Sequence, residues 1–205
     1  MQSKYYSLWL VAVCTVVFIF QIIFPQITDQ FALYNSRVFS EPWLLVTSIF
    51  LHGGFQHLFF NMFALGLFGL ILENIIGSRN FLLVFFSSGI VASIGAAMFY
   101  PASLGASGAI YGILGTLAVL RPKMSVWVFG VPMPMFVAAI LWALIDIVGM
   151  FAPSGIANAA HIFGLGFGVI IGLLLRKKFK EKKLMEKPLS PDEEEAIDYY
   201  IEYNF

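Results

Sequence analysis

The sequence predicts an all-α polytopic membrane protein, built as a bundle of six transmembrane helices. Of its 205 residues, 60% are hydrophobic and only 12% are charged, whereas soluble domains are about half apolar and about a quarter charged. The mean hydropathy of +0.86 points the same way. Six apolar stretches qualify as helices that cross a bilayer, which takes about 20 residues each: roughly 7–24, 55–76, 81–99, 107–120, 130–150 and 158–175.

The first stretch is expected to be a retained membrane anchor, because no small-residue cleavage site precedes the "FPQITDQ" that follows it. The long connection at about 25–54 is expected to hold a structured element at the membrane interface. Residues 1–176 should form the membrane domain, and 177–205 a charged tail in which a basic block precedes an acidic one. The single cysteine, Cys14, excludes an internal disulfide and makes a thiolate metal site improbable, and no metal, cofactor or nucleic-acid partner is expected.

The positions of the cations predict the orientation of the chain. Arg79, Arg121, Lys123 and the basic block from Arg176 fall on one side of a six-helix arrangement, together with Lys4 near the start of the chain. Because cytoplasmic loops are enriched in lysine and arginine, both termini are expected to be cytoplasmic. The second, fourth and sixth helices then run in parallel from the outer to the inner side.

Polar groups within the apolar stretches are the candidates for function, because ionisable residues at membrane depth are costly and are functional by default. Ser107 precedes Arg121 by nearly the same number of residues as His161 precedes Arg176. At about 1.5 Å per residue, both lie roughly 21–23 Å above the inner boundary. His57 and Asn61 are four residues apart and share a face of the second helix, slightly higher.

Glycines predict which helices approach closely. The fourth helix carries Gly108 and Gly112, and the sixth carries Gly164 and Gly168, each pair in the four-residue spacing that lets membrane helices pack backbone to backbone. Contact there would bring Ser107 beside His161. Taken alone, a Gly-x-Ser-Gly segment is more often a packing motif than a nucleophile, but packing does not require a serine and a histidine at matched depth.

Four motifs resemble the rhomboid family of intramembrane serine proteases: "HGGFQHLFFNMF", "LENIIGS", "GASGAIYGILG" and "NAAHIFGLGFG", in family order along nearly the whole six-helix region. The resemblance implies that Ser107 is the nucleophile and His161 the general base, and that the ring of Tyr111 packs on His161. The side chains of His57 and Asn61, with the amide of Ser107, would stabilise the oxyanion. The chain departs from the family where Leu44 follows Trp43, since the family usually has an arginine there; Arg37 is a candidate to replace its contacts.

A two-residue Ser–His dyad is favoured over a triad. Glu73 lies too far along its helix from the site to orient His161 and suits a structural role at the inner end, whereas Asp146, near the end of the fifth helix, remains open as an orienting carboxylate.

The expected function is hydrolysis of peptide bonds in or near transmembrane segments of other membrane proteins, at a site that opens to the outer side. One alternative is a catalytically silent rhomboid-like protein that binds membrane clients, which predicts loss of the serine or the histidine. A small transporter is the other, which predicts polar residues continuing inward and an internal repeat.

Overall fold

The computed structural model describes residues 5–152 and 155–185, together with Asp192, and most of the predicted charged tail lies outside these residues. The described chain is mainly helical. Its helices are α1 (Tyr6–Ile23), α2 (Gln26–Phe31), α3 (Leu44–Thr47), α4 (Phe55–Ile76), α5 (Ser78–Phe99), α6 (Ser107–Leu120), α7 (Met135–Gly149) and α8 (Asn158–Met185).

An apolar helix occupies each of the six predicted stretches. By length and composition, α1, α4, α5 and the first part of α8 qualify as membrane spans, whereas α6 and α7 are shorter apolar helices of 14 and 15 residues. Large apolar side chains remain exposed on the outer faces of these helices. Since lipid tails solvate such side chains, the exposed faces fit a helical bundle in a membrane.

The fifth helix begins later than the sequence analysis predicted, at Met135 instead of about residue 130. The preceding residues form an antiparallel hairpin of two strands, β3 (Ser125–Val128) and β4 (Val131–Pro134), in which Val128 pairs with Val131. Gly130, with φ +80°, allows the tight turn. Alternate residues of β3, Val126 and Val128, are buried in the core, so the hairpin covers the end of the bundle at which α6 ends.

The long connection after α1 is structured, as the sequence predicted. It contains α2, α3, a 3₁₀ turn (Ser48–Phe50) and the short strand β1 (Leu33–Tyr34), which pairs with β2 (Ala102–Ser103) in the connection from α5 to α6. Leu44, at the position of the family's arginine, is fully buried among apolar residues. Arg37 braces this connection instead, because its guanidinium donates to the Asp29 carbonyl oxygen and to the Glu41 carboxylate.

Helix α6 lies between α5 and α8 at backbone distance. A Cβ on Gly164 or Gly168 would overlap the carbonyl oxygen of Gly108 or Gly112 respectively. A Cβ on Gly108 or Gly112 would meet α5 instead, at Ala92 or Ser88. Gly108 and Gly112 of α6 therefore admit α5, and Gly164 and Gly168 of α8 admit the backbone of α6. Gly115 of α6 in turn admits the backbone of α8 at Leu165.

Glu73 joins the C-terminal end of α4 to its neighbours. Its carboxylate accepts hydrogen bonds from the amides of Tyr6 and Ser7 and from the hydroxyls of Ser7 and Ser78, at 2.6–2.9 Å. These donors come from the first turns of α1 and α5. The structural role expected for Glu73 is confirmed.

Candidate active site

A cavity of about 1080 Å³ opens at the end of the bundle opposite the hairpin. Its walls come from the α2–β1 region, the start of α4, the connection that precedes α6 and the connection between α7 and α8. The predicted site residues that line it are His57, Asn61, Ser107 and His161.

Ser107 is the first residue of α6 and His161 lies in the first turn of α8. The Ser107 hydroxyl oxygen is 2.9 Å from His161 Nε2, a hydrogen-bond distance. The glycine contacts between α6 and α8 place these two helix starts side by side, so the matched depth estimated from the sequence corresponds to direct contact in the structure. His161 is 8% exposed and lines the cavity.

Tyr111 lies one turn below Ser107 on α6 and stacks on His161. The two ring centroids are 4.2 Å apart and the planes differ by 11°. This contact fixes the plane of the imidazole. It is the packing arrangement that the sequence analysis expected for Tyr111.

The orientation of the His57 ring is set by backbone groups. The Gly53 amide donates to His57 Nδ1 at 3.3 Å, so a neutral ring carries its proton on Nε2. A Cβ on Gly105 would lie 2.9 Å from His57 Nε2, which shows that this edge faces the segment just before Ser107. Gly105 also has φ +126°, a conformation that favours glycine. The Nε2–H of His57 is therefore a donor that faces Gly105, two residues before Ser107.

Asn61 lies one turn below His57 on α4 and is 7% exposed. Its amide nitrogen donates to the His57 carbonyl oxygen at 2.8 Å. An amide group has two N–H bonds, so one remains for a ligand in the cavity. Asn61 and His57 thus present two donors on the same wall.

A second buried histidine, His52, packs edge-on against His57 with ring centroids 5.2 Å apart. Gln21 of α1 holds its backbone from both sides, accepting from the His52 amide and donating to its carbonyl oxygen. Burial lowers the pKa of His52 to about 4, so this ring is neutral at pH 7.

The structure adds a group that the preferred dyad left out. Asp146 Oδ1 lies 2.8 Å from His161 Nδ1, on the opposite side of the ring from Ser107. Asp146 is 3% exposed and reaches His161 from α7. The sequence signal was its acidic side chain in an apolar helix; its partner depended on the rotation of α7, which residue spacing did not reveal.

Taken together, these groups are a half-buried serine in contact with a buried histidine, with hydrogen-bond donors nearby, at the rim of an apolar helical bundle. These are the groups that a serine hydrolase embedded in a membrane requires. No cluster of histidine, cysteine or acidic side chains able to hold a metal ion occurs among the described residues.

Comparison with known proteins identifies the family. The family model for the rhomboid domain matches residues 40–178. YdcA of Bacillus subtilis is 35% identical over 73% of this chain and 75% of its own length. The rhomboid protease GluP of the same organism is 41% identical over 67% of this chain, and the rhomboid protease GlpG of Yersinia pseudotuberculosis is 30% identical over 69%. These alignments span only 27% of GluP and 50% of GlpG.

The chain belongs to the rhomboid family. Together with the apolar helices, this membership makes it an integral, multi-pass membrane protein of the intramembrane serine protease type.

Proposed function

We propose that this protein is an endopeptidase that uses Ser107 and His161 to cut transmembrane proteins near the outer end of their membrane segments. The observation that carries the proposal is the 2.9 Å contact between the Ser107 hydroxyl oxygen and His161 Nε2 inside a cavity large enough for a peptide. A serine hydroxyl is a weak nucleophile until a base accepts its proton, and this geometry supplies the base.

In the proposed reaction, Ser107 Oγ bonds to the carbonyl carbon of the scissile peptide while its proton passes to His161 Nε2. The C–N bond then breaks and His161 returns the proton to the departing amine. Water next attacks the acyl ester, again losing a proton to His161. Cleavage of the ester bond frees the acid product and restores the Ser107 hydroxyl.

The developing oxyanion would be stabilised by His57 Nε2–H, the free N–H of Asn61 and the amide of Ser107. The Ser107 amide belongs to the first turn of α6, where backbone N–H groups have no partner within the helix and the helix dipole favours negative charge. Fixed donors of this kind act strongly in a site from which bulk water is excluded.

The distribution of charge supports an outward-facing cavity. The cavity lies at the N-terminal end of α6, and Arg121 and Lys123 follow the opposite end of that helix. Loops and helix ends rich in lysine and arginine stay on the cytoplasmic side, and this rule would place both chain termini there. A substrate segment would then enter the site from the lipid and outer aqueous phases.

The two alternatives receive less support. The client-binding hypothesis predicts that the serine or the histidine is missing, but both are present and in contact. The transporter hypothesis predicts a path of polar residues towards the inner side. Below Ser107, α6 instead buries apolar side chains in the core, among them Ile110, Ile113 and Leu117.

The test is cleavage of a model single-span protein in liposomes by the purified protein. Wild type is expected to cleave it, and Ser107→Ala and His161→Ala should each abolish cleavage with the fold retained, as judged by thermal melting. Ser87→Ala is the matched control, because Ser87 donates only to a carbonyl of its own helix, α5, and should retain full activity. Cleavage that survives in Ser107→Ala would overturn the proposal, and stable binding without cleavage by wild type would favour the client-binding alternative.

A further inference from the structure

The outer half of α7 buries one side chain, and that side chain is an acid. The buried residues of this helix are Met135, Ala138 and Ala139 near its start, and Asp146 near its end. Around Asp146, the apolar residues Ile145, Ile147 and Val148 are 44–70% exposed. The apolar positions of this segment thus face outward, while its carboxylate faces the protein.

Structural reasons for an acid at this position are weak. Asp146 lies in the last turn of α7, where the helix dipole disfavours negative charge. Burying a carboxylate is costly unless it is paired, and Asp146 Oδ2 has no hydrogen-bond partner among the residues that the structure describes. The hydrogen bond from His161 to Oδ1 offsets part of this cost, and the side chain of Tyr111 also interacts with the carboxylate.

The contact between Asp146 and His161 decides which nitrogen of the imidazole carries the proton. A carboxylate accepts hydrogen bonds, so Nδ1 must be the protonated nitrogen of a neutral ring. Nε2 then has a free lone pair towards the Ser107 hydroxyl, 2.9 Å away. The other tautomer would point an N–H at the hydroxyl and could not accept its proton.

The stacking of Tyr111 cannot make this selection. Stacking on Tyr111 fixes the plane of the His161 ring, but that plane is the same whichever nitrogen is protonated. The plane is also unchanged if the imidazole is flipped by 180° so that its two nitrogens exchange sides. A hydrogen bond at one defined nitrogen excludes both the wrong tautomer and the turned ring. Tyr111 and Asp146 therefore supply different constraints on His161.

We infer that Asp146 is a positioning residue for the proposed reaction, which holds His161 in the Nδ1-protonated tautomer and faces it with negative charge while the ring carries the serine proton. This inference rests on the proposed function of Ser107 and His161. The carboxylate acts through His161 and does not itself take up the proton. In a site of low dielectric, its charge stabilises the imidazolium more strongly than in water.

The first test compares Asp146→Asn, which removes the charge but keeps the size, with Asp29→Asn. Asp29 is an exposed acid on α2 that does not line the cavity, so its variant is the matched control. We expect Asp146→Asn to lower kcat for the model substrate by about 10²–10⁴-fold with KM little changed, counted per folded molecule. Asp29→Asn should match wild type, and an Asp146→Asn variant that also matches it would overturn the inference.

A second readout separates positioning from a structural role. The chain has three histidines, so ¹⁵N labelling of the imidazoles gives few signals, and His161 can be assigned with His161→Gln. Wild type should show His161 protonated at Nδ1. Asp146→Ala removes the acceptor, so the Nε2-protonated tautomer should gain a substantial share. Slow turnover with an unchanged tautomer in Asp146→Ala would mean that Asp146 acts through packing alone, which contradicts the inference.

The outcomes also distinguish this inference from the function on which it rests. If wild type and the Asp146 variants all cleave at the same rate, Asp146 is dispensable and the Ser107–His161 dyad stands. If Ser107→Ala cleaves as fast as wild type, the proposed function fails and no role remains for a residue that positions His161.

Discussion

Two buried carboxylates, Glu73 and Asp146, lie at opposite ends of the bundle and have opposite surroundings. Glu73 is fully buried and accepts four hydrogen bonds from α1 and α5, so both of its oxygens are occupied. Asp146 is 3% exposed and has a hydrogen bond on one oxygen, from the base of the candidate active site. The two carboxylates are almost equally buried, but their hydrogen-bond partners differ in number and in kind.

This comparison shows that depth in a membrane protein does not by itself make an acid functional. A carboxylate surrounded by fixed donors connects helices. Its hydrogen bonds are fully formed in the resting protein, so they cannot strengthen during a reaction. A carboxylate with a titratable partner gains interaction when that partner becomes charged. We therefore expect the same chemical change at the two sites to affect different measurements.

The largest effect is expected from exchanging carboxylate for amide at both positions. Glu73→Gln places an N–H₂ group against amide and hydroxyl donors, so it should lower the free energy of unfolding by about 3 kcal/mol. Its turnover per folded molecule should stay near that of wild type. Asp146→Asn should show the reverse, with a small change in melting temperature and a large loss of kcat.

Thermal melting in detergent and turnover normalised to folded protein are the two measurements for this pair. Equal losses of stability in both variants, with equal turnover, would remove the distinction between the two carboxylates.

The next largest effect is expected at the proposed oxyanion donors. His57→Ala and Asn61→Ala should each lower kcat by roughly 10–1000-fold, because each removes a hydrogen bond that strengthens in the transition state. Both variants should fold and retain an unmodified Ser107. Melting temperature and intact mass verify these two points. If both variants cleave at the wild-type rate, the oxyanion does not form against this wall of α4.

The glycine contacts of α8 should give a graded effect, large at Gly164 and smaller at Gly172. Gly164→Val forces a side chain against the backbone of Gly108, next to Ser107, so it should displace His161 and lower both turnover and stability. Gly172→Val meets Val119 and Thr116 far below the site. It should cost about 1–3 kcal/mol of stability through overpacking, with less effect on turnover per folded molecule.

Turnover and melting temperature in the two valine variants test this contrast. A Gly164→Val protein identical to wild type in both would contradict the account of how the site is placed.

Periodicity and charge predicted much of this arrangement because they reflect simple constraints. Counting residues back from Arg121 and Arg176 predicted that Ser107 and His161 lie at one depth, and the glycine spacing predicted that α6 and α8 approach closely. These signals are local to each helix. They carry over to three dimensions when two parallel helices touch, as α6 and α8 do here.

Other features depended on how separate elements rotate and pair. The contact of Asp146 with His161 requires a particular rotation of α7, which exposes apolar residues around most of its surface and so gives a weak amphipathic signal. The hairpin at 125–134 was included partly in the fifth predicted helix, because its residues are as apolar as a membrane span. The alternation in "SVWVFG" before a glycine is its sequence signal.

The central claim, that His161 activates Ser107, is tested most directly by labelling with a fluorophosphonate probe followed by mass spectrometry of the labelled peptide. An activated serine forms a stable adduct with such a probe, and an ordinary serine does not. The account predicts a single adduct, on Ser107, that forms in wild type and is lost in His161→Ala with the fold retained. Labelling of Ser107 at an unchanged rate in His161→Ala, or labelling of another serine in its place, would contradict it.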